Sequence, residues 1–204
     1  RDWVIGMAVV LPDGRLIRNG GKVVKNVAGF DLCRLFVGAK NELGLIVEAA
    51  FKLLPLPEAE AHLAKRCESL GQADELLDKI WTSDLQPTVL DLYRIDGEPL
   101  TLVAGFAGPS ADVEAQSNAA NALGFAAEAS LDYDVQFRQT APSFTSVAPG
   151  NLISTLRNLG DEPFVTRAGN GVIYHASAKP LEVPSTDLQN RLKDIFDPKG
   201  VLTD

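Results

Sequence analysis

Apolar and polar positions alternate with a period of two in some stretches of this chain. In others they recur every three to four residues, and that contrast separates strands from helices. Trp3 to Val10 reads as a strand, Pro12-Asp13-Gly14 as a turn, and Arg15 to Arg18 as the returning strand of a hairpin. Gly20-Gly21 marks a loop. A short helix follows with Leu32, Leu35 and Phe36 on one side and Asp31 as its expected N-cap. Leu45 to Leu53 reads as another strand, with Leu45, Val47, Ala49, Phe51 and Leu53 on one face.

The pattern changes after Pro55-Leu56-Pro57. His62 to Arg66 reads as a strand and Ser69 to Ser83 as a helix. Ser69 and Gln72 have capping-box spacing, and Ala73, Leu76, Leu77, Ile80 and Trp81 form one apolar stripe. Val89 to Ile95 and Leu100 to Phe106 are two strands joined through Asp96-Gly97. Ser110 to Leu123 is an Ala-rich helix closed by Gly124, and Phe125 to Leu131 follows as a strand. The order β-α-β-β-α-β predicts an antiparallel sheet with both helices on one face. Asn151 to Leu159 reads as a further helix with Asn151 as its cap. Phe164 to Ala168 and Val172 to Ala178 form a hairpin around Gly169-Asn170-Gly171. Ser185 to Phe196 is an amphipathic helix with Leu188, Leu192, Ile195 and Phe196 on one side, and Asp197-Pro198-Lys199-Gly200 stops it.

Composition narrows the function classes. A chain of 204 residues, 46% hydrophobic and 23% charged, falls in the globular range. Its net charge of −8 argues against a nucleic-acid partner, which needs clustered Lys and Arg, and against an anionic membrane surface. No apolar run is long enough to span a bilayer. The start at Arg1-Asp2-Trp3, without a Met or a signal-peptide pattern, is read as a cut. Cys33 and Cys67 form no C-x-x-C pair and are expected as reduced thiols. His62 and His175 are too far apart for a helical zinc motif, so no metal site is expected.

The informative stretch is Gly20 to Pro57, GGKVVKNVAGFDLCRLFVGAKNELGLIVEAAFKLLPLP. Gly20, Gly21 and Gly29 permit close backbone approach to a flat or phosphorylated ligand. Lys22 and Lys25 add positive charge, and the helix near Asp31 turns free N–H groups toward the loop. It is neither a P-loop nor a G-x-G-x-x-G turn. On these features alone it is an ordinary loop–helix–strand connection.

The same stretch closely resembles the end of the FAD domain in FAD-linked oxidases of the vanillyl-alcohol-oxidase, or PCMH, type. Lys25, Asn26, Val27, Ala28, Gly29, Asp31 and Leu32 match that pattern, as do Gly38, Leu43, Gly44, Ile46, Lys52, Leu53, Pro55 and Pro57. The K-N-V-A-G form is most like the glycolate oxidase E subunit and its relatives. The closing Phe196-Asp197-Pro198-Lys199-Gly200-Val201-Leu202 is similar to the family's terminal motif. There are departures: Phe30 replaces a Tyr, Lys40-Asn41-Glu42 replaces a Gly-Thr neighbourhood, and Thr203 stands in place of an Asn.

The resemblance implies an α+β fold: the end of a PCMH-type FAD-binding domain (1–57), a ferredoxin-like antiparallel-sheet cap domain (58–180), and a C-terminal helix and tail returning to the FAD domain (181–204). It implies FAD as cofactor, lined by Lys25, Asn26, Val27, Gly29, Phe30, Gly44 and Ile46, with core packing as the competing role for Val27, Phe30 and Ile46. The N-terminal half of the FAD domain is expected to lie upstream of Arg1, so that this chain alone binds FAD weakly or not at all and is inactive. The implied reaction is hydride transfer from a small 2-hydroxy acid, such as glycolate, to FAD. The implied partners are glycolate-oxidase-like flavoprotein and iron–sulfur subunits. The implied location is cytoplasmic, any membrane association coming through those partners. Such a substrate needs a cation and a base, for which Arg94, Arg138, Arg167 and His175 are candidates, and no residue is assigned as catalytic. The alternative is a non-catalytic flavoprotein-like subunit or interaction module.

Overall fold

A computed structural model describes residues 3–21, 31–39, 41–95, 97–141, 143–176 and 187–202. In chain order the elements are β1 (Val4–Val10), β2 (Leu16–Gly20), α1 (Leu32–Phe36), β3 (Leu45–Phe51), β4 (Ala59–Arg66), α2 (Leu70–Trp81), β5 (Val89–Arg94), β6 (Thr101–Gly108) and α3 (Ser110–Ala122). Then come β7 (Ala127–Glu128), α4 (Asp132–Thr140), β8 (Ser143–Ser146), α5 (Leu152–Asn158), β9 (Phe164–Arg167), β10 (Val172–His175) and α6 (Asp187–Phe196). They form two compact units, Arg1–Pro55 with Pro184–Asp204, and Leu56–Val183.

In the first unit a three-stranded antiparallel sheet has the order β2-β1-β3. β1 is its apolar centre. Met7 and Val9 pack in one cluster with Cys33 and Phe36 of α1, Leu43, and Leu192 and Phe196 of α6. Phe196 meets Phe36 edge-on, with centroids 5.7 Å apart. Between Met7 and Val9 lies Ala8, fully buried, which pairs with Arg18 on β2 and Glu48 on β3. Those two form an ion pair at 2.5 Å, and the small Ala8 side chain leaves them room to close over it.

Two expectations in this unit are corrected. The regular face Leu45, Val47, Ala49, Phe51 and Leu53 does not form, because the pairing register of β3 against β1 shifts twice, between Val4/Gly6 and between Ala8/Val9. Each shift inserts a residue and breaks the period of two. Leu45, Val47 and Phe51 are exposed, and Leu53 lies beyond the strand. In α6, Leu192 and Phe196 pack inward while Leu188 and Ile195 are exposed. A ten-residue helix resting on one contact line buries only the residues nearest it.

The second unit holds a seven-stranded sheet in the order β7-β4-β6-β5-β9-β10-β8, with every neighbouring pair antiparallel. Its first four strands with α2 and α3 are the ferredoxin-like β-α-β-β-α-β unit. The β9–β10 hairpin and β8 extend the β5 edge. Both helices lie on one face. Ala73, Leu76, Leu77 and Ile80 of α2 and Val113 and Ala120 of α3 share a core with Leu90, Leu92, Leu102, Ala104, Phe106, Phe164 and Ile173. Ser69 caps α2, its hydroxyl accepting from the Gln72 amide at 3.2 Å. Trp81, expected in the buried stripe, is half exposed at the last position of α2. Asn151 is the first residue before α5 but makes no side-chain cap; a short 3-10 turn, Pro149–Asn151, leads into the helix instead. The strand expected from Phe125 to Leu131 is two residues long.

The other face of this sheet carries α4, which packs Tyr133 and Phe137 against Val103 and Val165. Sequence periodicity assigned no element to residues 132–146, because α4 has only this narrow apolar strip and β8 is four residues at a sheet edge.

Candidate functional site

Five of the seven residues expected to line a cofactor, Lys25, Asn26, Val27, Gly29 and Phe30, lie outside the described residues. The other two have distinct surroundings. Gly44 is enclosed: a Cβ there would sit 2.6 Å from Val9 Cγ1, 3.1 Å from the Val10 carbonyl oxygen and 3.4 Å from the Phe36 ring. Glycine is required here by packing of β3 against β1 and α1. Ile46 is 38% exposed at the start of β3.

Gly20 also has a packing role. Its φ is +72°, and a Cβ would strike the Ile5 carbonyl oxygen and lie 2.8 Å from Gly6 Cα. The Gly21 amide donates to the Ile5 carbonyl at 3.0 Å. These glycines bring β2 close against β1. Asp31 does not cap α1 through its side chain, which instead accepts from Arg34 Nε at 3.2 Å. The thiols Cys33 and Cys67 are free and buried, and burial pushes both above the usual thiol range. Among the described residues no cluster of His, Cys, Asp or Glu is arranged to hold a metal.

In the second unit the structure gathers a polar cluster on the α4 face of the sheet. Asp91 of β5, in the middle of the apolar run Val89–Arg94, is buried. Its cross-strand neighbour is Arg167 of β9. Arg167 Nη1 donates to Asp91 Oδ2 at 2.5 Å, and Nη2 donates to Asp134 Oδ2 of α4 at 2.6 Å. The Tyr133 hydroxyl donates to Asp91 Oδ2 at 2.9 Å, while its ring stacks on Tyr93 with centroids 4.2 Å apart. Arg138 Nη2 reaches Asp134 Oδ2 at 3.0 Å, and its guanidinium lies over Tyr174.

The electrostatics follow from this geometry. Burial pushes the Asp91 carboxyl above the usual carboxylate range, against the pull of Arg167 and the Tyr133 hydrogen bond. Burial works against the charge of Arg167, but Asp91 and Asp134 outweigh it and hold the guanidinium above its ordinary value. Burial, then the adjacent Asp91 charge, push the Tyr133 phenol far above the usual tyrosine range. A cleft of about 1070 Å³ opens on the same face, lined by Ala64, Arg66, Tyr93, Thr101, Tyr133 and Phe137 among others.

The four residues proposed for substrate chemistry are not brought together. Arg167 and Arg138 belong to the cluster just described. Arg94 donates to the Gly160 carbonyl, and to that of Glu162 at 3.0 Å, and lies over the Phe164 ring. His175 is fully buried, paired in register with Phe164, and its Nε2 is 3.3 Å from Thr145 Oγ1. That places it on the helix-packed face, away from the cleft. Sequence reasoning missed Asp91, Tyr133 and Asp134. The available signal was Asp91 itself, a charge where the strand pattern calls for a buried side chain.

Over 107 residues, 52% of this chain, the sequence is 40% identical to glycolate oxidase subunit GlcD of Bacillus subtilis. It is 39% identical over 87 residues to glycolate oxidase subunit GlcE of Escherichia coli, and 32% identical over 94 residues to a D-lactate dehydrogenase of Anaerostipes hadrus. This chain is a homologue of FAD-linked oxidases. The matched segments span 22%, 24% and 20% of those three relatives' own lengths. No family profile matches the chain. A solved structure of alkyldihydroxyacetonephosphate synthase superposes with a TM-score of 0.59 at 16% identity, over 98% of this chain and 52% of that one. The fold of this FAD-linked oxidase homologue, mixed α/β with antiparallel sheets, is thus shared with that synthase structure. No described helix is long and apolar enough to cross a membrane.

Proposed function

We propose that this chain is part of an FAD-dependent oxidoreductase that oxidises a small, glycolate-like 2-hydroxy acid. The observation that carries this reading is the shared sequence with glycolate oxidase subunits and a D-lactate dehydrogenase, whose named substrates are both 2-hydroxy acids. Bound FAD would supply the hydride acceptor. The first unit is its share of the FAD-binding domain and the second its cap. Lys25, Asn26, Val27, Gly29 and Phe30 would hold the cofactor through backbone hydrogen bonds and van der Waals contact, with Ile46 adding apolar surface. Gly44 would line the cofactor as well, and its lack of a side chain lets β3 start close against β1. The full protein works with a second flavoprotein subunit and an iron–sulfur subunit.

A second reading, a non-catalytic flavoprotein-like subunit, is favoured by one observation. Arg94, Arg138 and Arg167 are all engaged within the unit, and His175 is enclosed on the helix-packed face. Purification of the full-length protein with its native partners separates the two. The oxidoreductase reading expects flavin absorbance from this subunit and bleaching of that absorbance by glycolate or D-lactate without air. A colourless subunit that takes up no added FAD would establish the second reading.

A further inference from the structure

The contact that holds α4 on the sheet is imperfectly matched. Asp134 offers one oxygen, Oδ2, to both Arg167 and Arg138, while Oδ1 is buried with no hydrogen-bond partner among the described residues. A carboxylate that fits an arginine well uses both oxygens, in two parallel N–H···O bonds. Arg167 therefore has a firm partner on Nη1, the buried Asp91 of the neighbouring strand, and a poorly seated one on Nη2.

Besides Asp134, α4 is held by Tyr133, whose hydroxyl donates to Asp91 and whose ring stacks on Tyr93, and by Phe137; the cleft runs past Tyr133, Gln136, Phe137 and Thr140. The charged and titratable groups of the cluster are Asp91 and Tyr93 of β5, Arg167 of β9, Tyr174 of β10, and Tyr133, Asp134 and Arg138 of α4, and Lys65, Arg66, Glu98, Glu128 and Asp132 line the cleft beside it. Asp134 leaves together with its own counter-charge, Arg138, one turn away on the same helix. What stays on the sheet is the Asp91–Arg167 pair with one guanidinium edge uncovered.

We propose that the Nη2 edge of Arg167 is a binding site for the carboxylate of a small organic acid, and that α4 is an internal plug whose Asp134 occupies the site until the acid displaces it. The planar fork of Arg suits a carboxylate in either case. A free acid can rotate to use both its oxygens, whereas Asp134 is fixed by its helix. Displacement also returns Asp134 Oδ1 to water, which removes the penalty of an unpaired buried acceptor. The identity of the acid rests on the 2-hydroxy-acid reading above; the site itself rests on the Asp134 geometry.

Amide hydrogen exchange of residues 132–140 in the 204-residue chain tests the proposal, in sodium glycolate, sodium acetate and sodium chloride at equal ionic strength. Both carboxylates, and not chloride, are expected to speed exchange across α4. Asp134→Asn, which removes the competing charge, is expected to speed exchange without ligand and to tighten glycolate binding by about tenfold, the scale of one charge-assisted hydrogen bond. Phe137→Ala loosens the plug without touching a charge and is expected to move both readouts the same way, so the test survives if Asp134→Asn does not fold. Acetate acting as well as glycolate leaves the plug standing and counts against the 2-hydroxy-acid reading. Exchange in both carboxylates equal to that in chloride overturns the plug, as does an unchanged glycolate affinity in a folded variant.

Discussion

Tyr133 is where burial, hydrogen bonding and charge act on one side chain. Its hydroxyl donates to the buried Asp91, so the phenolate would face a carboxylate at hydrogen-bond distance. Tyr133→Phe removes a hydrogen bond to a charged acceptor and is expected to lower stability at neutral pH by about 1.5–3 kcal/mol, read from urea denaturation. The pH dependence has a definite sign. The folded-state pKa is raised above the unfolded value near 10, so the Tyr133 contribution is intact below about pH 10 and is lost as pH rises beyond it. Stability of the native chain should fall as pH rises above 10, and more steeply than that of the Phe variant. Gly44 gives a second residue-scale expectation. A methyl group there meets Val9 at 2.6 Å, so Gly44→Ala should destabilise the first unit by about 1–3 kcal/mol through overpacking, seen as a lower denaturation midpoint. The sequence marked Gly44 as a cofactor-lining residue, and the structure adds a close packing contact with Val9 and Phe36 at the same position.

Elements were legible where local chemistry sets them. The α2 boundary follows from Ser69 and Gln72, and the structure shows the bond that the spacing predicts. Ser69→Ala should cost about 1 kcal/mol of stability by thermal or urea unfolding, the usual effect of losing an N-cap. The turn at Gly124, with φ of +90°, and the β9–β10 hairpin were equally readable, because positive φ and hairpin turns select particular residues. Asp31 shows the limit. It has the right residue type at a helix start, yet its side chain pairs with Arg34, and no sequence rule ranks those two outcomes. β3 shows another limit, since its register shifts arise from pairing with β1, 35 to 47 positions away in the chain.

On the scale of the whole molecule, the exposed apolar residues of β3 are the feature with the largest consequence. Leu45, Val47 and Phe51 are each more than half exposed, on a strand that pairs only with β1 among the described residues. Such an edge promotes association. The chain by itself is expected to self-associate, and Val47→Lys to shift sedimentation toward monomer, since a charge on an edge strand opposes pairing. The β-α-β-β-α-β order, the two-helix face of the larger sheet and the likeness to FAD-linked oxidases were all present in the sequence. Hydrophobic period, caps and turn residues act over a few positions, and a cofactor-loop motif is a contiguous string. Tertiary structure alone decided that Asp91, Asp134 and Arg167 meet, that three candidate arginines are held in internal contacts, and that His175 faces the helix-packed side. Those outcomes join residues up to 76 positions apart, on different strands and helices. They depend on strand register, on which sheet face each alternate residue takes, and on how a weakly patterned helix settles on that face. A one-residue slip reverses the facing of a whole strand, so only the folded chain fixes which charges become neighbours.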